Sequence, residues 1–103
     1  MSILVEFSVV PLGQGTSISP LVAKALRVVI EGGVPYKANP MGTVLEGEWE
    51  EVMAVVRKCH EAVMNESERV ITTITIDDRK GKTDRLTKKL ESVEQKIGRK
   101  LNQ

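Results

Sequence analysis

The chain has 103 residues, the size of one domain, so we expect residues 1–103 to share one core. Apolar residues make up 41% and charged residues 28%, which excludes an intrinsically disordered chain, and the net charge of +1 excludes a uniformly basic nucleic-acid binder. The single cysteine, Cys59, forms no internal disulfide, and no stretch approaches the roughly 20 apolar residues of a membrane span. We therefore expect a cytoplasmic protein without a membrane partner.

The charge is unevenly distributed along the chain. Residues 79–103 hold nine Lys or Arg against three Asp or Glu, a net +6, and residues 1–78 hold six against eleven, a net −5. A solvated helix face accounts for most basic tails of this kind. The alternative is that the tail docks on acidic surface, in its own subunit or in a partner.

The first predicted element is a strand over residues 3–10, where apolar residues alternate with mixed ones at a period of two. A turn-rich connection, residues 11–20, leads to a helix that Ser17 or Ser19 can cap and that Gly32 ends. An apolar stripe at helical spacing predicts that this helix packs on a sheet. The stripe consists of Leu21, Val22, Ala25, Leu26 and Val29.

A β-hairpin is predicted next, with one strand over residues 34–39, a turn at residues 39–42 and a return strand over residues 43–47. A second helix follows, because acidic residues at 48–51 suit the positive end of a helix dipole, and it ends near Asn65. Its predicted apolar face consists of Trp49, Val52, Met53, Val56, Cys59 or His60, and Val63.

Residues 69–77 are predicted to form the fourth strand, because β-branched residues fill both of its faces. A last helix is predicted from Asp84. Its apolar residues form a seam of coiled-coil width, which favours packing against one neighbour. We call these residues the α3 seam: Leu86, Leu90, Val93, Ile97 and Leu101.

The order strand, helix, strand, strand, helix, strand predicts an α+β, ferredoxin-like βαββαβ fold with both main helices on one face of an antiparallel sheet, plus a C-terminal helix. In this topology the first strand lies between the third and fourth. The face predicted to lie under the helices carries Ile3, Val5, Phe7, Val9, Leu45, Val70, Ile74 and Ile76. We call the other face the open face; it is predicted to carry Leu4, Glu6, Ser8, Val10, Lys37, Asn39, Val44, Glu46, Ile71, Thr73 and Thr75.

Three motifs carry little functional weight. Gly13 and Gly15, between a strand and a helix, permit an anion site but lack the rest of a dinucleotide or triphosphate motif, so a plain connection is favoured. Cys59 and His60 are adjacent and point about 100° apart on a helix, so they form no metal site together, and we expect a half-buried histidine. RNA binding on such a sheet needs exposed aromatic rings, and we expect all three in the core: Phe7 and Tyr36 by strand alternation and Trp49 on the apolar face of the second helix.

The open face is the best candidate for a functional surface, because Glu6 lies there on a central strand and a carboxylate in that place needs solvent or a partner. Two interpretations stay open. Its polar groups, among them Glu46 and the threonines, line a wet subunit interface, or they bind a small cationic ligand.

Several stretches together resemble a known family: EFSVVPLG at residues 6–13, MGTVLEG at residues 41–47, and RVITT at residues 69–73 running on to IDDR at residues 76–79. They are similar to the thiamine-binding, YkoF-like family of small ferredoxin-fold proteins, and the likeness covers nearly the whole chain. The resemblance implies homo-oligomers, dimers or tetramers, and a pocket at the sheet for thiamine or a related pyrimidine. It implies no catalytic residue, no metal and no cofactor other than thiamine as a bound ligand.

The thiamine binding that the resemblance implies agrees with the polar residues of this chain. A thiazolium cation favours a carboxylate, and an aminopyrimidine presents hydrogen-bond donors and acceptors along one edge. The residues that we expect to bind the ligand are Glu6, Ser8, Asn39, Thr43, Glu46 and Thr73.

Three functions follow as hypotheses. The first is a non-catalytic carrier or sensor of a thiamine-like molecule that acts as a homo-oligomer. The second is a structural or protein-binding oligomer without a small ligand. The third is an acylphosphatase-like hydrolase, which is disfavoured because that chemistry needs a cation in the loop after the first strand and residues 11–19 contain no Arg or Lys.

The open face gives a first prediction. A charge-assisted hydrogen bond is worth roughly 1.5 to 3 kcal/mol, so Glu46→Gln should weaken thiamine binding about ten- to a hundredfold, and Ser8→Ala and Thr73→Val about tenfold each, as measured by calorimetric titration. If Glu46→Gln and Glu6→Gln leave the affinity intact and alter the assembly instead, the face is only an interface.

Overall fold

The computed structural model describes residues 2–13, 15, 19–81 and 85–102, in which four strands and three helices follow in the predicted order. Their bounds are β1 Ser2–Leu12, α1 Ser19–Gly32, β2 Tyr36–Asn39, β3 Gly42–Glu48, α2 Trp49–Met64, β4 Arg69–Asp77 and α3 Arg85–Ile97. Ser17 and Asp84, predicted as a helix cap and a helix start, lie outside the described residues. None of the described helices is long and apolar enough to cross a membrane.

The four strands form one antiparallel sheet in the order β2-β3-β1-β4. The first strand therefore lies between the third and the fourth, and the predicted α+β, ferredoxin-like topology is confirmed. The β1–β3 register runs from Ser2↔Glu48 to Phe7↔Thr43, and the β1–β4 register runs from Leu4↔Asp77 to Leu12↔Arg69. Residues that lie opposite each other share a face, so these registers place every β1 side chain on the predicted face.

The core lies between the sheet and the two helices α1 and α2, where Val5, Leu45 and Val52 are fully buried. Cys59 is also fully buried, and its Sγ donates a hydrogen bond to the Ala25 carbonyl at 3.3 Å. Burial raises the pKa of the Cys59 thiol from 9.0 to about 11, because a thiolate there would lose its hydration. The thiol is therefore protonated at neutral pH and acts as a small apolar side chain.

Two aromatic residues lie outside the core, so their predicted positions are wrong. Trp49 is 47% exposed at the first position of α2, directly after β3 ends at Glu48, whose partner Ser2 is the first described residue of β1. Tyr36 is 40% exposed, because β2 is an edge strand of four residues. His60 is half-buried as predicted, and its Nδ1 lies 2.6 Å from the Thr72 hydroxyl on β4.

Helix α3 begins against the open face and then leaves it. Leu86 in its first turn is half-buried, whereas Leu90, Val93 and Ile97 are 36%, 41% and 56% exposed. The radius of gyration of 14.9 Å exceeds the ~13 Å of a compact chain of this length, which agrees with a projecting helix. Most of the α3 seam is therefore uncovered within the described chain.

Candidate functional site

The sheet leaves one side of β1 open near the hairpin turn. Strand β1 continues to Leu12 along β4, but its pairing with β3 ends at Phe7↔Thr43. Beyond Phe7, no described strand lies beside β1 on that side. The backbone groups of residues 8–12 that point to that side therefore form no hydrogen bonds with a neighbouring described strand. A polar backbone edge of this kind needs another partner, such as solvent or a ligand.

A cavity of about 150 Å³ lies at this open edge, between β1, the β2–β3 turn and helix α1; we call it the α1 cavity. Three of the six predicted ligand residues line it: Ser8, Asn39 and Thr43. Thr43 is 8% exposed and faces the helices, because it lies opposite Phe7. The other lining residues are apolar or glycine: Phe7, Val9, Val10, Val22, Ala25, Leu26, Val29, Pro40, Met41 and Gly42.

Glu6 borders the α1 cavity at Gly42. It is exposed on the open face, and its Cγ would lie 3.6 Å from a Cβ built on Gly42, which lines the cavity. The same Cβ would approach the Phe7 carbonyl oxygen to 3.1 Å, so a glycine at this position lets the turn lie close to β1. None of the described lining residues is charged, and the Glu6 carboxylate lies beside the cavity.

Glu46 lies on the open face but is buried there rather than exposed to solvent. It is 7% exposed, and its carboxylate accepts hydrogen bonds from the backbone amides of Arg85 at 2.8 Å and Leu86 at 3.2 Å. These are unsatisfied donors of the first turn of α3, where negative charge also meets the positive end of the helix dipole. Glu46 therefore caps α3 from the sheet, and its ligand contact stays a prediction.

Asp77 completes the attachment of α3 to the sheet. Its carboxylate forms ion pairs with Arg85, which is nearly buried, and with Lys89 at 3.0 Å. Hydrogen bonds from Lys89 and Arg85 lower the pKa of the Asp77 carboxyl below its ordinary value, because they favour the charged form. The ion pairs therefore hold at neutral pH and are lost in acid, as the pH falls through that lowered pKa.

A second concavity lies between the open face and α3, with a volume of about 630 Å³; we call it the α3 groove. Three cationic residues line it, Lys37 from β2 with Arg85 and Lys89 from α3, and none of the described lining residues is acidic. The remaining lining residues are Leu4, Tyr36, Ala38, Asn39, Val44, Leu86, Leu90 and Asn102. The α3 groove and the α1 cavity share Asn39 and differ in charge.

The predicted residues thus separate into three places. Ser8, Asn39 and Thr43 line the α1 cavity, with Glu6 beside it. Glu46 lies under α3, and Thr73 lies exposed on β4 outside both concavities. The glycine connection is described only in part, so an anion site there stays untested. No group of three His, Cys, Asp or Glu that could hold a metal ion occurs in the described ranges.

Sequence reasoning missed the contribution of α1 to a site. Val22 and Leu26 belong to the predicted apolar stripe, yet they line the cavity, and Val22 is 40% exposed. Met41 at the hairpin turn also lines it and is 90% exposed. A methionine beside a proline in a short predicted turn is a signal available in the sequence, because such a turn rarely needs a large apolar residue.

Comparison with known proteins places these features in a family. The profile of the family described as thiamine-binding protein matches residues 5–94. A UPF0045 protein of Mycobacterium bovis is 47% identical over 95 residues, which are 91% of this chain and 93% of that protein. A UPF0045 protein of Methanocaldococcus jannaschii is 36% identical over 91 residues, 88% of this chain and 91% of that protein.

Solved structures show the same architecture. A hypothetical protein of Methanocaldococcus jannaschii superposes with a TM-score of 0.84 at 36% identity, over 89% of this chain and 95% of that one. A Thermotoga maritima protein proposed to act in thiamine biosynthesis or salvage superposes with a TM-score of 0.77, over 90% of this chain and 99% of that one. Its identity of 23% supports the shared fold alone.

The cap at Glu46 gives a second prediction. Glu46→Gln removes the charge from the cap, and losing an N-cap costs about 1 kcal/mol, so the amides of Arg85 and Leu86 should exchange with solvent about fivefold faster. Hydrogen exchange followed by NMR measures this change. Glu68→Gln, an exposed substitution in the turn before β4, is the matched control and should change neither amide. Unchanged exchange in Glu46→Gln would contradict the capping role.

Proposed function

We propose, because the chain belongs to the thiamine-binding protein family, that it binds thiamine or a related pyrimidine and acts as a carrier or sensor rather than as an enzyme. The observation that carries the site assignment is the open edge of β1 at the α1 cavity, where a polar backbone meets Thr43 and apolar walls. An aminopyrimidine requires this combination, because it is a flat ring with donors and acceptors on one edge.

The size of the α1 cavity supports a ring-sized ligand group. Dry protein cavities of about 150 Å³ hold a benzene-sized ring, whereas pockets for whole drug-sized ligands have about 300 to 1,000 Å³. At about 150 Å³, the α1 cavity accommodates one six-membered ring. The aminopyrimidine of thiamine would therefore occupy the cavity, and its thiazolium would remain at the mouth.

The charges around the α1 cavity support the same orientation of thiamine, with the thiazolium at the mouth. A thiazolium carries a positive charge, and Glu6 lies beside the cavity at Gly42. The α3 groove is the larger concavity, but its cationic lining would repel a thiazolium. Thiamine is therefore assigned to the α1 cavity, with Thr43, Ser8 and Asn39 near the ring and Glu6 near the cation.

This assignment gives a third prediction. Thr43→Val keeps the volume and removes the hydroxyl, so thiamine should bind about tenfold more weakly, as expected for one neutral hydrogen bond of about 1 kcal/mol. Val22→Trp should abolish binding, because the residue is 40% exposed at the cavity and a larger ring there can fill it without entering the core. Calorimetric titration with thiamine measures both.

Thr75→Val is the control for Thr43→Val, because Thr75 is exposed on β4 and lies outside the cavity. Thermal unfolding of each variant checks that the fold is retained. If Val22→Trp is folded and binds thiamine as the parent protein does, the ligand does not occupy the α1 cavity.

We also propose that the functional form is a homo-oligomer, a dimer or a tetramer. The exposed part of the α3 seam, Leu90, Val93 and Ile97, forms an apolar row on a helix that projects from the sheet. Ile71 on β4 and Val10 on β1 add exposed apolar surface on the open face, at 48% and 40%. Apolar surface of this extent favours association with another copy.

The α3 seam gives a fourth prediction. Leu90→Lys and Ile97→Lys should lower the assembly state in sedimentation velocity, because each puts a charge into the apolar contact. Ser92→Lys, also exposed on α3 but off the seam, adds the same charge and should leave the assembly unchanged. A parent protein that sediments as a stable monomer at micromolar concentration would contradict the proposal. Unfolding of the Leu90 and Ile97 variants would show instead that the seam covers its own subunit.

A further inference from the structure

Met41 lines the α1 cavity and is also open to solvent. It is 90% exposed in the turn between β2 and β3, whereas Val22, which lines the cavity from α1, is 40% exposed. The glycine at position 42 lets this turn lie close to β1, because a Cβ there would come within 3.1 Å of the Phe7 carbonyl oxygen. The backbone therefore holds Met41 beside the cavity while its thioether stays accessible to small reagents.

The other described sulfur-containing side chains are better protected. Met53 is half-buried on α2, and Met64, the last residue of the same helix, is 41% exposed. Cys59 is fully buried, and its thiol stays protonated because burial raises its pKa to about 11. Hydroperoxides oxidise accessible thioethers and thiolates. Among the described residues, Met41 is therefore where such an oxidant should react first.

Oxidation changes the polarity of the Met41 side chain. The sulfur lone pair attacks one oxygen of hydrogen peroxide, so that an S–O bond forms and the O–O bond breaks. The hydroxide that leaves takes the proton from the transferred oxygen and departs as water. The sulfur is oxidised by two electrons, and the peroxide is reduced by two. A soft, apolar thioether thereby becomes a strongly polar sulfoxide.

A thioether at this cavity suits a ring ligand better than a sulfoxide does. Methionine sulfur makes favourable contacts with aromatic rings, whereas a sulfoxide oxygen loses free energy when it leaves water without a new hydrogen bond. The cavity wall on α1 consists of apolar side chains, among them Val22 and Leu26, which cannot donate one. A ring that enters beside the sulfoxide would therefore displace water from it without compensation.

We propose that Met41 is a site of reversible oxidation by hydroperoxides, and that its sulfoxide weakens the binding of aromatic rings in the α1 cavity. For its natural ligand, this site rests on the thiamine binding proposed above. Methionine sulfoxide is reduced again by methionine sulfoxide reductases, one for each epimer of the sulfoxide. Ligand affinity would thus follow the oxidation state of a single exposed side chain.

Treatment of the full chain with hydrogen peroxide tests where the oxidation occurs. Mass spectrometry of proteolytic peptides over a time course should detect the sulfoxide at Met41 before it appears at Met53 or Met64, because the exposed thioether needs no opening of the fold. Oxidation of Met53 or Met64 at the same rate as Met41, or faster, would overturn the proposal.

Calorimetric titration after removal of the peroxide tests the consequence. The oxidised parent protein should bind thiamine about fivefold more weakly, the effect expected from the loss of one sulfur–ring contact, and sulfoxide reductases should restore the affinity. Met41→Leu removes the thioether, so this variant should have the same affinity before and after treatment. Met64→Leu is the matched control and should lose affinity as the parent protein does. A loss that persists in Met41→Leu, or an unchanged affinity in the oxidised parent protein, would contradict the role of Met41.

Benzene separates the oxidation effect from thiamine binding itself. It fits dry cavities of about 150 Å³, the volume of the α1 cavity, and has none of the polar groups of thiamine. Its binding, followed by NMR shifts of the Val22 and Leu26 methyl groups, should also weaken about fivefold on oxidation. If the parent protein binds benzene but not thiamine and oxidation weakens the benzene complex, the oxidation site stands while the proposed function fails. If thiamine binds equally well before and after oxidation, the proposed function stands and the oxidation site fails. If the unoxidised protein binds neither ring, both proposals fail.

Discussion

The pairing of β1 with two strands of different extent determines most of this structure. Because β1 pairs with β4 as far as Leu12 and with β3 only as far as Phe7, the sheet is complete on one side of β1 and interrupted on the other. The complete part buries Val5 and Leu45 under the helices. The interrupted part leaves backbone groups beside α1, where an apolar cavity meets them. The same register thus produces both the core and the candidate site.

Glu46 shows how one buried carboxylate can organise a surface. A charge on the face of a sheet needs compensation, and here the compensation comes from the first amides of α3. Asp77 adds ion pairs to the same turn. Together they attach the basic C-terminal segment to the open face at one end of the helix. Further along α3, the apolar residues Leu90, Val93 and Ile97 stay exposed.

The two concavities meet at Asn39 and differ in their surroundings. Near the hairpin turn, Glu6 lies beside a neutral cavity. On the other side of Asn39, cationic residues line a wider groove. Among the described residues, the two concavities therefore differ in the charged side chains that they meet. The sign of the local charge is what separates them, since apolar walls occur in both.

The sequence by itself determined the order of the elements, the faces of the strands and the placement of Glu6, Ser8 and Asn39, because alternation and helical spacing are local properties of the chain. Only the tertiary structure decided which residues meet. Glu46 became a helix cap because α3, forty residues later, begins above it. Thr43 joined the cavity because α1 packs over that end of the sheet, and Tyr36 and Trp49 were left exposed because the sheet ends beside them. These outcomes depend on where elements end and on long-range packing, and no periodic pattern in the sequence records either one.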